Sequence, residues 1–280
     1  MIGWPVSHSR SPRLHNEWLR RAGIDGAYVP LPVPPGQLAI ALAGLRAAGF
    51  AGVNVTIPHK EDAFRLCREH GTLSEAARRC GAVNTIRFDE DGWHGDATDG
   101  EGFLDSLRLA GIDPGADPAN FRALLLGAGG AARSIAASLQ ERGVPVTLCN
   151  RTEARAHELA AALNGDTPAT IPVRCRPWEE RDEALREAAL LINTTPLGMG
   201  GRGDALVPVD LGRARPELIV ADIVYVPETT PLLADAARRG LKAVGGLGML
   251  VCQGRSGFRR WFGAEPELDD ALMALMREPG

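Results

Sequence analysis

One stretch decides the fold of this chain: residues 122–133, which read RALLLGAGGAAR. Its apolar first half predicts a buried strand, its glycines predict a tight turn, and its alanine-rich end predicts the start of a helix. Gly127 permits the turn, Gly129 lets a pyrophosphate approach the backbone, and the small Ala132 keeps helix and strand close. A second strand, near residues 146–150, follows at the expected distance. Together these elements predict a Rossmann-type dinucleotide-binding domain.

The end of that second strand indicates which dinucleotide binds. NAD-binding domains usually carry Asp or Glu there to hold the ribose hydroxyls, but this chain has Asn150, Arg151 and Thr152. A carboxylate would repel a 2′-phosphate, whereas the guanidinium of Arg151 can bind it through charge-assisted hydrogen bonds. The alternative is that Arg151 only begins the helix predicted over residues 153–163. The sequence favours NADP.

Polar residues also end the next predicted strand, residues 190–193. Asn193, Thr194 and Thr195 lie at the carboxyl end of that strand, where ligands gather in parallel sheets, and are candidates to line the ribose and nicotinamide. As polar loop residues they would otherwise be ordinary. The βαβ pattern then continues through elements predicted near residues 218–223, 230–239 and 242–245.

The first hundred residues show the same alternation. The predicted strands lie near residues 1–3, 27–33, 53–57 and 83–88. The predicted helices lie near residues 12–22, 36–48, 58–70 and 74–79. A turn over residues 89–92 is expected to close a hairpin. This order predicts an α/β domain with a mainly parallel sheet covered by helices.

Within that domain, residues 52–60 read GVNVTIPHK and predict a strand that leads into a helix with Pro58 as its first residue. This geometry places Asn54, Thr56 and Lys60 on one rim. An amide, a hydroxyl and an ammonium suit a small, hydroxylated, anionic ligand, and Lys60 can also pass a proton. The alternative is a solvated lysine at a helix start.

Composition narrows the class of protein. The chain has 280 residues, 45% of them hydrophobic and 24% charged, a net charge of −4 and a pI near 5.9. Two domains are expected. No basic run suggests nucleic acid, and no apolar run reaches the roughly 18 residues of a membrane helix. The expected partner is therefore a small molecule.

The cysteines, the histidines and the first residues indicate where in the cell the protein works and whether it binds a metal. The five cysteines are scattered, without a Cys-x-x-Cys pair, and the six histidines do not cluster, so we expect no metal site. The first residues have neither a charged nor an apolar segment of the kind found in a secretion signal. We expect a cytoplasmic protein with reduced thiols, and the sequence leaves open whether it is a monomer or a homodimer.

Several motifs, spread over the whole chain, resemble those of the shikimate dehydrogenase family. They lie at residues 3–12 with 14–16, 54–60, 81–85, 96–100, 127–132, 150–152 and 246–253. The resemblance implies a substrate domain in two pieces, residues 1–99 and 247–280, and a Rossmann-type NADP-binding domain, residues 100–246, joined around a cleft. It also implies NADPH-dependent, reversible reduction of 3-dehydroshikimate to shikimate, a step of chorismate and aromatic amino acid biosynthesis.

The resemblance also implies roles for individual residues. Lys60 is the expected proton donor to the alkoxide that hydride transfer leaves, and Asp99 orients it; alone, Asp99 could simply cap the helix that follows. The expected substrate-binding residues are Ser9 and Ser11 for the carboxylate, with Asn54, Thr56, Asn84, Tyr225 and Gln253. The expected cofactor-binding residues are Gly127, Ala128, Gly129, Gly130, Ala131, Asn150, Arg151, Thr152, Asn193, Thr194, Gly246 and Met249.

Three alternatives remain at this stage. A quinate or dual quinate/shikimate dehydrogenase would have the same fold, but in this family a threonine at the position of Ser11 accompanies quinate use. Asn150 and Arg151 also differ from the NAD-using quinate enzymes. A noncatalytic NADP-binding regulatory protein is disfavoured by the presence of both Lys60 and Asp99. An aminoshikimate-type enzyme is the third alternative, and no residue argues against it.

Overall fold

The computed structural model describes residues 1–7, 9–118, 120–165, 171–200 and 206–278. The chain divides into two compact units, the first made of Met1–Gly102 with Leu250–Gly280 and the second of Phe103–Met249. Both contain a β-sheet with accompanying helices, as an α/β fold requires. Within the described ranges, no helix has the length and apolar character needed to span a bilayer.

The first unit alternates short strands with helices. In chain order its elements are β1 (Ile2–Gly3), α1 (Ser11–Ala22), β2 (Leu31–Pro32), α2 (Leu38–Ala47), β3 (Gly52–Asn54), α3 (Lys60–His70), β4 (Gly71–Leu73), α4 (Glu75–Cys80), β5 (Thr85–Asp89), β6 (Gly92–Asp96) and α5 (Asp99–Leu109). The boundary between the units falls within α5.

The strands of the first unit pair in both directions. β1 is parallel to β2, and Ile2 forms a parallel bridge with Val55, just after β3. The remaining strands lie in the order β3-β5-β6-β4, in which β4 is parallel to β6 and the other pairs are antiparallel. Two of these strand pairs are thus parallel and two antiparallel, and the isolated bridge adds one parallel contact. The hairpin predicted at residues 89–92 is confirmed, because Asp89 pairs with Gly92.

Two local features differ from the sequence prediction. Helix α3 begins at Lys60 rather than Pro58, because residues 57–58 form a turn and His59 is the residue that caps the helix. No pattern in the sequence predicts β4, which has only three residues. Its register is set by pairing with β6, and α4 and β5 separate the two strands in the chain.

The second unit continues the chain as a regular alternation. Its elements are β7 (Ala123–Leu126), α6 (Gly130–Glu141), β8 (Val146–Cys149), α7 (Glu153–Asn164), β9 (Arg174–Cys175), α8 (Arg181–Glu187), β10 (Leu190–Asn193), β11 (Ile219–Asp222), α9 (Pro231–Arg238), β12 (Lys242–Val244) and the first turn of α10 (Gly246–Phe262). The rest of α10 and α11 (Asp270–Arg277) belong to the first unit.

The sheet of the second unit has the strand order of a Rossmann fold. Its strands lie in the order β9-β8-β7-β10-β11-β12, and every pair is parallel. Read from the first strand of this unit, that is the doubly wound order 3-2-1-4-5-6. All residues of β7 and β10 are buried, which is why both are continuous apolar runs in the sequence. The predicted Rossmann-type domain is confirmed.

Candidate active site

Lys60 and Asp99 form a shielded ion pair in the first unit. Lys60 is the first residue of α3 and Asp99 the first residue of α5, and Nζ lies 2.5 Å from Oδ2. Their side chains are only 12% and 8% exposed. Lys60 is therefore not a solvated helix-opening lysine. Withdrawing both charges from water is costly, and their pairing with good geometry offsets that cost.

Asn84 holds the carboxylate of this pair. Its Nδ2 donates to Oδ1 of Asp99 at 3.0 Å and to Oε1 of Gln253 at 3.3 Å. The backbone N–H of Thr98 donates to Asn84 Oδ1 at 2.6 Å. Because a backbone N–H can only donate, Oδ1 must face Thr98 and Nδ2 must face Asp99. Both oxygens of Asp99 are thus engaged, one by Lys60 and the other by Asn84.

Gln253 reaches this network because α10 and α5 approach each other closely within the first unit. A Cβ on Gly102 would lie 2.5 Å from Cβ of Gln253 and 2.6 Å from its backbone nitrogen. Such distances exclude any larger residue unless the helices separate. The side chain of Gln253 also donates from Nε2 to the carbonyl oxygen of Leu250 at 3.0 Å. Gly102 therefore permits the close approach that brings Gln253 to this network.

The other predicted substrate residues occupy three places. Asn54 is buried at the end of β3 and donates from Nδ2 to the carbonyl oxygen of Asn84 at 3.2 Å. Ser9 and Ser11 are linked at the start of α1, where the Ser11 N–H donates to Ser9 Oγ at 3.2 Å. Thr56 follows two residues after Asn54, and Tyr225 lies in the second unit, just after β11.

Hydrogen bonds therefore connect five of the predicted residues. These are Lys60, Asp99, Asn84, Gln253 and Asn54. Sequence reasoning missed two buried hydroxyls of the same network, Thr98 and Thr85, whose Oγ1 atoms lie 3.2 Å apart. Thr98 stands directly before Asp99 in the motif at residues 96–100, and that position could have identified it as part of the site.

In the second unit, the turn after β7 fits a dinucleotide. Gly127 has a φ of +114°, which favours glycine, and an added Cβ would lie 2.5 Å from Oγ1 of Thr194. Gly129 caps α6 without a side-chain hydrogen bond, and a Cβ there would meet no atom of the described residues within 4 Å. The N-terminus of this helix thus offers open backbone N–H groups to a pyrophosphate. Ala128 is buried, whereas Gly130 and Ala131 are partly exposed.

The end of β8 fits a 2′-phosphate. Asn150 donates from Nδ2 to the carbonyl oxygen of Thr152 at 2.7 Å, which shapes the turn into α7. Thr152 is the N-cap of α7 and makes no side-chain capping bond. Arg151 is exposed and, among the residues that the structure describes, has no ion-pair partner. Its guanidinium is available to an anion.

The amide of Asn193 is committed to the protein itself. Its Nδ2 donates to Asp222 Oδ1 at 2.9 Å, and its Oδ1 accepts from the backbone N–H and the hydroxyl of Thr195 at 3.1 and 2.7 Å. Burial raises the pKa of Asp222, while hydrogen bonds from Thr230, Val224 and Asn193 oppose that rise. Asn193 therefore orders the loop after β10.

Three further predicted cofactor residues, Thr194, Gly246 and Met249, also belong to the second unit. Thr194 donates from Oγ1 to the carbonyl oxygen of Leu126 at 2.7 Å, which ties the loop after β10 to the end of β7. Gly246 begins α10, and a Cβ there would lie 2.3 Å from the carbonyl oxygen of Ile223. Met249 is buried, as expected of a core methionine.

The strand order and the open glycine turn define the second unit as a dinucleotide-binding unit of the Rossmann type. Comparison with known proteins gives the family. Residues 1–86 match the shikimate dehydrogenase substrate binding domain, residues 115–196 match the shikimate / quinate 5-dehydrogenase family, and residues 246–276 match the shikimate 5'-dehydrogenase C-terminal domain.

Individual proteins resemble the chain over its full length. The shikimate dehydrogenase (NADP(+)) of Rhodospirillum rubrum is 54% identical over 99% of this chain and 95% of its own. A crystal structure of shikimate 5-dehydrogenase from Thermus thermophilus with NADP(H) and shikimate covers 99% of this chain and 97% of that one, with a TM-score of 0.83 and 37% identity. A crystal structure of the ligand-free 5-ketofructose reductase of Gluconobacter sp. strain CHM43 covers 99% of this chain and 95% of that one, with a TM-score of 0.82 and 33% identity.

The chain belongs to the shikimate dehydrogenase family. This confirms the resemblance found in the sequence motifs, and the neighbouring structures confirm the two-part α/β fold.

Proposed function

We propose that the protein catalyses the NADPH-dependent, reversible reduction of 3-dehydroshikimate to shikimate, on the route to chorismate and the aromatic amino acids. The observation that carries this proposal is the shielded Lys60–Asp99 pair, held by Asn84, in a chain that is 54% identical to an NADP-dependent shikimate dehydrogenase. The first unit binds the substrate, and the second unit binds NADP.

In this proposal Lys60 moves the proton. Bound NADPH supplies the hydride that reduces the ring carbonyl, and the resulting alkoxide needs a proton. The Lys60 ammonium donates it, and in the oxidative direction neutral Lys60 removes the hydroxyl proton. Asp99 keeps the ammonium in place by accepting its hydrogen bond at 2.5 Å. Asn84 fixes the carboxylate in turn.

The remaining polar residues bind the ring. Ser9 and Ser11 bind the carboxylate, and their linked hydroxyl and N–H groups at the start of α1 support this role. Asn54, Thr56, Asn84 and Gln253 bind the hydroxyls. Tyr225 is a further residue of the substrate site. On the cofactor side, the Gly127–Ala131 turn binds the pyrophosphate, Asn150, Arg151 and Thr152 bind the 2′-phosphate, and Thr194, Asn193, Gly246 and Met249 complete the site.

A second candidate follows from the 5-ketofructose reductase, whose structure matches this chain with a TM-score of 0.82, against 0.83 for the Thermus enzyme. A neutral ketose has no carboxylate for Ser9 and Ser11, which favours shikimate over it. A spectrophotometric matrix separates the candidates: shikimate and quinate are oxidised, and 5-ketofructose is reduced, with NADP(H) and NAD(H) in parallel. We expect the highest kcat/KM with shikimate and NADP. A higher value with quinate or with the ketose would contradict the proposal.

Replacing Arg151 with alanine is expected to lower the preference for NADPH over NADH by about tenfold to a hundredfold, because one charge-assisted phosphate contact is lost. The measurement is kcat/KM with each cofactor. Arg122→Ala is the matched control, since Arg122 is also exposed but precedes β7, at the opposite end of the strands. An unchanged cofactor ratio in Arg151→Ala would refute the phosphate role.

We also propose that the protein works in the cytoplasm as a monomer or homodimer. All five cysteines carry thiols, and four of them are buried, as expected for a protein of a reducing compartment. Light scattering after size-exclusion chromatography determines the oligomeric state.

A further inference from the structure

Tyr28 lies outside the residues assigned to the reaction, yet it contacts one of them. Its hydroxyl donates to Oδ1 of Asn54 at 2.6 Å. The direction follows from the other contacts of Asn54, because Nδ2 donates to the carbonyl oxygen of Asn84 at 3.2 Å and to Thr85 Oγ1 at 3.0 Å. A carbonyl oxygen can only accept, so Nδ2 must face Asn84 and Oδ1 must face Tyr28.

These contacts determine what Asn54 can offer a ligand. Both protons of Nδ2 have acceptors within the protein, and one lone pair of Oδ1 is taken by Tyr28. In the described part of the chain no donor takes the second lone pair, so a ligand group at Asn54 has to be a donor, as a ring hydroxyl is. Rotating the Asn54 amide by half a turn would place Oδ1 beside the carbonyl oxygen of Asn84. Two hydrogen-bond acceptors would then face each other without a proton between them. The Tyr28 hydroxyl stabilises the orientation that presents the acceptor.

Two consecutive residues of α1 hold Tyr28 in turn. Asn16 accepts from the backbone N–H of Tyr28 at 2.7 Å and donates from Nδ2 to its carbonyl oxygen at 3.0 Å. The ring of His15 stacks on the Tyr28 ring, with centroids 4.2 Å apart and planes 5° from parallel. Burial lowers the pKa of His15 to about 3, so the ring is neutral at assay pH. Tyr28 is thus fixed through both its backbone and its ring.

We propose that Tyr28, held by His15 and Asn16, is a positioning residue that orients the Asn54 amide to accept a hydrogen bond from a substrate hydroxyl. This role rests on the proposed function, in which Asn54 contacts the substrate. It also assigns a structural role to His15 and Asn16 of the N-terminal motif, to which the proposed reaction assigns none.

The first test is Tyr28→Phe, which keeps the ring on His15 and removes only the hydroxyl. The KM for shikimate is expected to rise about threefold to tenfold, the loss of one net hydrogen bond, while kcat and the KM for NADP stay within about twofold. Thr72→Val is the matched control, because it removes a hydroxyl that contacts His94 in the same unit. Circular dichroism should give both variants a wild-type fold. An unchanged KM for shikimate in Tyr28→Phe would overturn the role.

The second test asks whether Tyr28 acts through Asn54. In a double-mutant cycle with Asn54→Ala, adding Tyr28→Phe should change kcat/KM for shikimate by less than about twofold. A full additive loss would overturn the role, because Tyr28 would then act independently of Asn54. Asn16→Ala should raise the same KM in the same direction. If the wild-type protein cannot oxidise shikimate, the proposed function itself is wrong. The wild-type assay shows this before any variant is compared.

Discussion

Replacing Lys60 with alanine is expected to lower kcat for shikimate oxidation by about 10²–10⁴ while shikimate affinity stays within a few-fold of wild type. The size of the loss follows from the role: general acid–base catalysis contributes most in the transition state, where the proton moves, and little to ground-state binding. Steady-state kinetics give kcat, and isothermal titration calorimetry gives the dissociation constant.

The chain contains its own control for this change. Lys242 is the only other lysine, and it is exposed in β12 of the second unit. Lys242→Ala should retain wild-type kcat. Lys60→Met, which keeps most of the volume of the side chain, should lose as much activity as Lys60→Ala, so a packing defect is not the cause. Wild-type kcat in either Lys60 variant would remove Lys60 from the mechanism.

The ion pair should also behave as one unit. If Asp99 acts by holding Lys60, Asp99→Asn lowers kcat on its own but adds little in a Lys60→Ala background, because residues that act together are strongly non-additive. Independent losses from the two changes would indicate that Asp99 has a separate role.

The backbone of the second unit was largely predictable from the sequence, for a physical reason. Strands that are buried on both faces must be apolar throughout, so β7 and β10 stand out as runs of hydrophobic residues with polar residues at their carboxyl ends. The turn after β7 also requires a φ of +114° at position 127, which glycine adopts more easily than other residues do. Local sequence therefore specifies this unit.

The side-chain network was less predictable, because it depends on contacts between distant residues. Tyr28 and Asn54 are 26 residues apart, and Asn193 and Asp222 are 29 apart. No local pattern shows that the Asn193 amide is occupied within the protein or that a tyrosine orients Asn54. The start of α3 at Lys60 likewise depends on the turn at residues 57–58. Motifs identify which residues matter, whereas hydrogen-bond directions need the structure.

Changing Asn84 to aspartate is expected to lower kcat/KM by about 10²-fold and the free energy of unfolding by about 3–5 kcal/mol. The new carboxylate keeps the shape of the amide but sets negative charge where Nδ2 now donates to Asp99 at 3.0 Å. The two carboxylates repel each other, and Asp99 is expected to move away from the position in which it holds Lys60. Kinetics and chemical denaturation measure the two effects.

The matched control separates loss of a hydrogen bond from loss of the catalytic geometry. Asn164 is partly buried and also donates from Nδ2 at 3.0 Å, but to the carbonyl oxygen of Val173 in the second unit. Asn164→Asp should therefore destabilise the protein without lowering kcat. If Asn84→Asp loses stability but keeps wild-type kcat/KM, Asn84 only packs the first unit. If it loses stability and kcat while the KM for shikimate stays within a few-fold, the orientation of Asp99 by Asn84 is part of catalysis, because Asn84 reaches the proton-carrying lysine through its hydrogen bond to Asp99.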